Sequence, residues 1–244
     1  MIIDKLIDLL KWAIIHIIII MRMRRKNNLE ERIRSSIDYL LAYEGQFRDV
    51  NLFIKDKDYI NYPLVFNNSN RIELDLGCGL GGFIVEKAKQ NRDVNFIGVE
   101  MFSNIIISAI DKARSENLSN LKFINCRIEC LEKYIMDNSI STIYLNFSNP
   151  LPNKTDEKQR LTSKRFLDIY KKLLKPNGKI IQKTDNLDFF EFSCDSFKKN
   201  GWDIANINYD LENNKEEGNI LTEHEIKYML DGRKIYKLEA INVK

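Results

Sequence analysis

Histidine is nearly absent from this chain, which has only His16 and His224. Its four cysteines, Cys78, Cys126, Cys130 and Cys194, include no C-x-x-C pair. Neither a zinc ligand set nor a disulfide framework is therefore legible, no metal is expected, and a reduced, cytoplasmic setting fits. Proline is rare, with four residues, and no low-complexity tract interrupts a chain that is 44% apolar and 30% charged, so it reads as ordered and globular. Charge of one sign is also lacking. A net +3 makes no polycation, and any nucleic-acid contact has to come from local Lys/Arg clusters. No internal repeat is visible, which removes solenoids and propellers. At 244 residues, one domain with a continuous core is the expectation.

A long hydrophobic run is missing too. Leu6 to Ile20 is dominated by Leu and Ile, but Asp8, Lys11 and His16 interrupt it. The uninterrupted part is about half of the roughly 20 residues a spanning helix needs, so membrane contact is the less favoured reading. Arg22, Arg24, Arg25 and Lys26 follow the apolar stretch, the wrong side for a signal peptide. Residues 1–20 are read as an upstream extension with Met21 or Met23 as the working start, and residues 21–244 as a single domain.

From Leu29 to Leu41, apolar Leu29, Ile33, Ile37, Leu40 and Leu41 recur at helical spacing and predict an amphipathic helix. A polar turn around Phe66 to Asn70 follows. Short apolar runs then alternate with longer amphipathic segments. Strands are expected at 72–76, 95–99, 121–125, 142–147 and 179–183, with helices near 83–90, 104–117, 128–136, 163–174 and 189–199. Pro176-Asn-Gly178 marks a turn, and 202–211 and 234–243 look like closing strands. This βαβ rhythm predicts an α/β, Rossmann-like domain whose mostly parallel sheet is covered by helices on both faces.

The chemistry is expected at the carboxyl edge of that sheet. Asp75-Leu-Gly77-Cys-Gly79-Leu-Gly81-Gly82 follows a strand and opens a helix, the context in which a glycine loop lets backbone approach a ligand closely. Gly77, Gly79 and Gly82 also satisfy G-x-G-x-x-G, so the loop alone fits a nicotinamide dinucleotide as well as S-adenosylmethionine. Glu100, at the end of the next strand, can accept hydrogen bonds from both hydroxyls of a ribose. Asp75 suits the cationic amino-acid end of S-adenosylmethionine and would repel a pyrophosphate. A third piece, Asn146-Phe-Ser-Asn149-Pro-Leu-Pro152, follows the fourth strand.

Taken in order, Asp75–Gly79, Ile97–Glu100, Tyr144–Pro150, Lys158–Thr162, Lys183–Asn186 and Gly218–Glu225 resemble the bacterial tRNA (guanine-N7)-methyltransferases. The resemblance runs from about Met21 to the end of the chain. It implies a class I methyltransferase with a seven-stranded sheet. The implied reaction moves a methyl from S-adenosylmethionine to N7 of the variable-loop guanine at position 46 of tRNA. By the same resemblance Asp75, Gly77, Gly79, Glu100 and Asn149 would hold the cofactor. Asn149 would also be the catalytic residue, while Asp185, Thr222, Glu223 and Glu225 would hold the guanine or its neighbours.

Four positions depart from the family pattern: Arg127 and Asn149 each replace an Asp, Asn153 a Lys, and Leu151 a Trp. Guanine N7 has an in-plane lone pair and no proton to lose, so transfer needs alignment more than a general base. Asn149 keeps one acceptor oxygen while losing the charge, which predicts slowed rather than abolished chemistry. Lys154, Lys158, Arg160, Lys164 and Arg165 form a basic stretch after the loop, with Lys154 and Arg160 the expected tRNA contacts and Arg22 to Lys26 a second cluster. The plainer reading of Lys164, Arg165, Lys171 and Lys172 is the solvated face of a helix. Two other functions remain open at this point: a non-catalytic tRNA-binding or partner subunit of the same fold, and a nicotinamide-dependent oxidoreductase.

Overall fold

The segment Ile72–Leu76 is buried at every position, as a strand covered on both faces must be, and it forms the centre of the sheet. In the computed structural model, which describes residues 27–44 and 56–244, eight strands and their helices follow in chain order. They begin with α1 (Leu29–Arg34), β1 (Leu40–Tyr43), α2 (Tyr62–Phe66) and β2 (Ile72–Leu76). Next come α3 (Gly82–Gln90), β3 (Asn95–Val99), α4 (Ser103–Ser115), β4 (Leu121–Asn125), α5 (Leu131–Tyr134) and β5 (Ile140–Asn146). The chain closes with α6 (Lys164–Leu173), β6 (Leu174–Thr184), α7 (Leu187–Lys199), β7 (Asp203–Asn208), α8 (Glu223–Leu230) and β8 (Tyr236–Ile241). The apolar extension at 1–20 and the basic cluster at 22–26 lie outside the described residues.

Strand order is β1-β4-β3-β2-β5-β6-β8-β7. Pairing is parallel from β1 through β6, and β8 runs antiparallel to both β6 and β7. The order reverses at β2, whose neighbours are β3 and β5, so a crevice opens beyond their carboxyl ends. One apolar core gathers Leu74, Ile97, Ile143 and Tyr170 on one face of the sheet, and a second gathers Phe83, Phe96, Ile107 and Phe123 on the other.

Two expectations are corrected. The helix predicted over 29–41 stops at Arg34: Ile37 is 82% exposed, and Leu40 to Tyr43 pair with β4 instead. Helical spacing carried the segment only as far as Leu29 and Ile33, which are buried; beyond them pairing with an open sheet edge satisfies the backbone. That edge strand is also why the sheet has eight strands and not seven. The helix expected over 128–136 is a 3₁₀ turn, Ile128–Cys130, followed by the single turn of α5. The Pro176-Asn-Gly turn exists as an excursion inside β6, where Ile140 pairs with Leu174 but Thr142 pairs with Lys179, and Asn177 adopts φ +60°.

The glycine loop is locked against α4. Gly81 has φ +80°, and a Cβ there would sit 2.7 Å from Cβ and 3.0 Å from Cα of Ala109. Gly81→Ala is expected to cost roughly 2–4 kcal/mol, from left-handed strain plus overpacking, measured by denaturant unfolding.

Candidate active site

Gly77 and Gly79 turn the chain sharply out of β2, with φ +78° and +55°. The amides of Gly77 and Cys78 both donate to the carbonyl of Val99, at 2.8 and 3.0 Å, which ties the loop to the tip of β3. Glu100 is the next residue. Its carboxylate accepts from the amide of Phe102 at 2.9 Å and also from the amides of Gly79 and Met101. Burial raises the Glu100 carboxyl above its ordinary range, and these amides pull it part of the way back. The glycine bend and the acid therefore share one corner of the crevice. Nothing lies within 4 Å of where a Gly77 Cβ would stand, so that face of the loop is open to a ligand.

Asp75 is the last inward carboxylate of β2 and is 2% exposed. Burial, more than its neighbours, pushes its pKa up to about 7; the Glu100 charge adds to the rise, while a hydrogen bond from Asn146 Nδ2 at 3.4 Å and the Lys183 charge oppose it. On the far side, Asn146 Oδ1 is buried with no partner. Two acceptors thus converge on one cleft of about 220 Å³, which Gly77, Gly79, Phe147 and His224 also line. A buried carboxylate and an orphan amide oxygen call for a ligand that brings hydrogen-bond donors and positive charge. The ammonium of S-adenosylmethionine fits that demand, and a dinucleotide pyrophosphate does not.

The opposite wall is the start of α8. Thr222 caps it: its hydroxyl accepts from the amide of Glu225 while the Glu225 carboxylate accepts from the amide of Thr222, a closed capping box. The second function of Glu225 is a buried ion pair with Lys183, at 2.9 Å and with side-chain exposures of 1% and 4%. Lys183 Nζ donates in addition to the carbonyl of Ile220, and Asn219 Nδ2 donates to Glu225. Burial pulls the Lys183 ammonium down from its ordinary pKa, with Glu225 opposing that shift. This latch fastens Thr222 and Glu223 to β6 and so holds them over the cleft. Glu223 packs beside Gly82 and pairs with Lys112 at 2.9 Å.

The family model described as "Putative methyltransferase" matches residues 69–238, from just before β2 into β8. A tRNA (guanine-N(7)-)-methyltransferase of Oceanobacillus iheyensis is 44% identical over 180 residues, covering 74% of this chain and 84% of that protein. One from Geobacillus sp. (strain WCH70) is 36% identical over 220 residues, covering 90% and 95%. The chain belongs to the tRNA (guanine-N7)-methyltransferase family. Among solved structures, the 16S rRNA methyltransferase KamB superposes with a TM-score of 0.57 at 14% identity, over 77% of this chain and 96% of that one. That likeness shows the shared class I methyltransferase fold. Membership removes the oxidoreductase reading, which rested on glycine spacing alone.

The residues expected of this family member fall into two groups. Asp75, Gly77, Gly79, Thr222 and Glu223 line the cleft, and Glu100 adjoins it through Gly79. The rest lie elsewhere or are engaged. Asn149 is exposed, and its Oδ1 accepts from the amide of Leu151 at 3.2 Å, shaping its own loop. Arg160 is 6% exposed: its guanidinium donates to the carbonyls of Pro150 and Leu151 and lies over Phe192 at 4.4 Å, so it clamps the loop that carries Asn149. Asp185 pairs with Arg233 at 2.9 Å, and Glu225 is buried in the latch. Lys154 is exposed beside Asn153, whose amide reaches Asp156. Arg127 turns to Glu129 at 3.1 Å, a carboxylate it shares with Arg165.

Sequence reasoning singled out no role for Asn146, Phe147, His224 or Lys183. The signal for Asn146 was its place two strand positions beyond Tyr144 on the crevice side; Lys183 and His224 stood inside motifs quoted for other members. Among the described residues, no group of three or more His, Cys, Asp or Glu could hold a metal ion, and no helix is long and apolar enough to cross a membrane.

Proposed function

We propose that this protein transfers a methyl group from S-adenosylmethionine to N7 of the variable-loop guanine at position 46 of tRNA, in the cytoplasm where tRNA is found. The observation that carries this is the buried Asp75 carboxylate beside the orphan Asn146 oxygen, at the mouth of a glycine loop joined to Glu100. When bound, S-adenosylmethionine supplies an electrophilic methyl on a sulfonium. Asp75 and Asn146 take its ammonium, Gly77 and Gly79 let backbone approach, and Glu100 accepts from the ribose hydroxyls. Thr222, Glu223 and Asp185 are assigned to the guanine side. No residue has to remove a proton, since N7 attacks with its own lone pair, and alignment in a desolvated cleft is the chain's contribution. Lys154 and its basic neighbours meet the tRNA backbone. Arg160 acts by holding the loop. A tRNA transcript should accept one methyl per molecule, and the same transcript with adenine at position 46 none; equal uptake by both would exclude that position.

Asp75 sets a pH signature. Its folded pKa, about 7, lies above the ordinary 3.8. Its stabilising contribution in the ligand-free protein is therefore full below about pH 4 and is lost as pH rises through about 7. Binding of an ammonium reverses the preference and needs the carboxylate. Affinity for S-adenosylhomocysteine, followed by calorimetry, should fall up to about tenfold per pH unit below 7 and flatten above it, until the ligand's own ammonium begins to lose its proton. A flat profile from pH 5 to 7 would contradict the assignment.

Asn149 is exposed and outside the lining of the cleft in this structure, and on this reading its loop brings it to the site only with tRNA bound, where it sustains transfer at a reduced rate. Restoring a carboxylate with Asn149→Asp is expected to raise kcat about tenfold, the worth of one charge-assisted hydrogen bond, measured by label transfer to tRNA. No change would remove residue 149 from the reacting centre, and a protein inactive before and after would favour a binding subunit.

A further inference from the structure

Three aromatic rings cluster at one wall of the cleft, and two of them line it. Phe147 stacks on His224 with centroids 5.8 Å apart and 20° between planes. Tyr228 completes a triangle, 5.7 Å from Phe147 and 6.1 Å from His224. Phe147 and His224 line the same cleft as Asp75, whereas Tyr228 leads away from it: Arg233 lies over the Tyr228 ring at 5.0 Å and pairs with Asp185. The cluster thus joins the cofactor side of the site to the residue assigned to guanine.

The backbone is strained to put it there. Phe147 adopts φ +51°, a left-handed conformation unfavourable for an aromatic residue, and is held in it by its amide donating to the carbonyl of Lys183 at 2.9 Å. A residue that stacked only to fill space could do so from an ordinary conformation. Here the turn leaves the ring lining the cleft that Asp75 and Asn146 also line. Phe147 and Tyr228 are half-buried and His224 is exposed; one side of Tyr228 carries Arg233, with Lys227 6.0 Å from the ring, so the cluster is reached by solvent mainly at Phe147 and His224.

We propose that Phe147, His224 and Tyr228 form the platform on which the target guanine stacks, and that the platform favours the base as it becomes a cation. This rests on the methyl-transfer reading above. As the N7 to carbon bond forms and the carbon to sulfur bond breaks, sulfur keeps the electron pair and the positive charge passes to the purine. A π face attracts a cationic ring more than a neutral one, so a platform of this kind contributes more as the transfer proceeds than it does to the substrate. Base-on-aromatic stacking also suits a nucleotide turned out of its own stack.

The test compares binding of 7-methylguanosine 5′-monophosphate and guanosine 5′-monophosphate to the protein saturated with S-adenosylhomocysteine, under conditions where the methylated purine is a cation. The wild type should prefer the methylated nucleotide about tenfold, the scale of a desolvated cation–π contact. Phe147→Leu and Tyr228→Leu, which keep apolar bulk and remove the π face, should each lose most of that preference and lower kcat on tRNA about tenfold, and Tyr228→Leu, which lies outside the lining of the cofactor cleft, should do so with S-adenosylhomocysteine affinity unchanged. Tyr228→Phe should retain both. Equal binding of the two nucleotides by the wild type, or leucine variants that keep the preference, would overturn the platform. A wild type that forms no 7-methylguanosine in tRNA would instead overturn the methyl-transfer reading itself. Unchanged S-adenosylhomocysteine affinity in Tyr228→Leu separates loss of the platform from loss of fold.

Discussion

Asp75→Asn is expected to lower affinity for S-adenosylhomocysteine by about a hundredfold or more while leaving the ligand-free protein at least as stable as before. The two outcomes come from one fact. Asp75 is buried and its charged form is penalised, pushing its pKa up to about 7, so the ligand-free protein gains nothing from the charge at neutral pH. An isosteric amide removes that penalty. Once an ammonium is bound, the same carboxylate becomes one half of a desolvated, hydrogen-bonded ion pair, and truncating its charge leaves the other half without compensation. Calorimetric titration and thermal unfolding of the same preparations read the two effects separately. Affinity within about threefold of the wild type would show that the ammonium lies elsewhere.

Lys183→Met is expected to cost about 3–5 kcal/mol in denaturant unfolding, because it strands the Glu225 carboxylate at 1% exposure. Adding Glu225→Gln should recover most of the loss, since the amide oxygen can still accept from Thr222 while the unpaired charge is gone. Lys164→Met provides the contrast. Its partner Asp168 lies 2.7 Å away, closer than Glu225 lies to Lys183, yet both side chains are mostly in water and the expected cost is below about 1 kcal/mol. Distance does not decide between these pairs; desolvation does. The single Lys183 variant should also weaken tRNA methylation, because the latch holds the cap of α8 over the cleft.

The parallel strands were legible because buried strands need short apolar runs of Ile, Leu, Val and Phe, and 72–76, 95–99 and 121–125 have the bounds expected of them. β1 was not legible. Leu40 to Tyr43 is half-buried and follows two apolar positions at helical spacing, and only the open edge of β4 makes it a strand. In the site, Asp75, the glycines and Glu100 could be placed because strand tips and a glycine loop fix them locally. Arg160 and Glu225 could not. A sequence shows a charged residue inside a motif but not what faces it, and here loop carbonyls and a buried lysine have claimed the two groups. Lys183 stood within a motif, but its burial and its pairing with Glu225 at the root of α8 appear only in the structure. The aromatic cluster was hidden further, because Phe147 and His224 are far apart in sequence and meet only after a left-handed turn.

The most direct measurement incubates the purified protein with methyl-labelled S-adenosylmethionine and an unmodified tRNA transcript, then digests the RNA and separates its nucleosides. The label should run with 7-methylguanosine for the wild type and be nearly absent for Asp75→Asn. Label in any other nucleoside, or none with the wild type, would contradict the account.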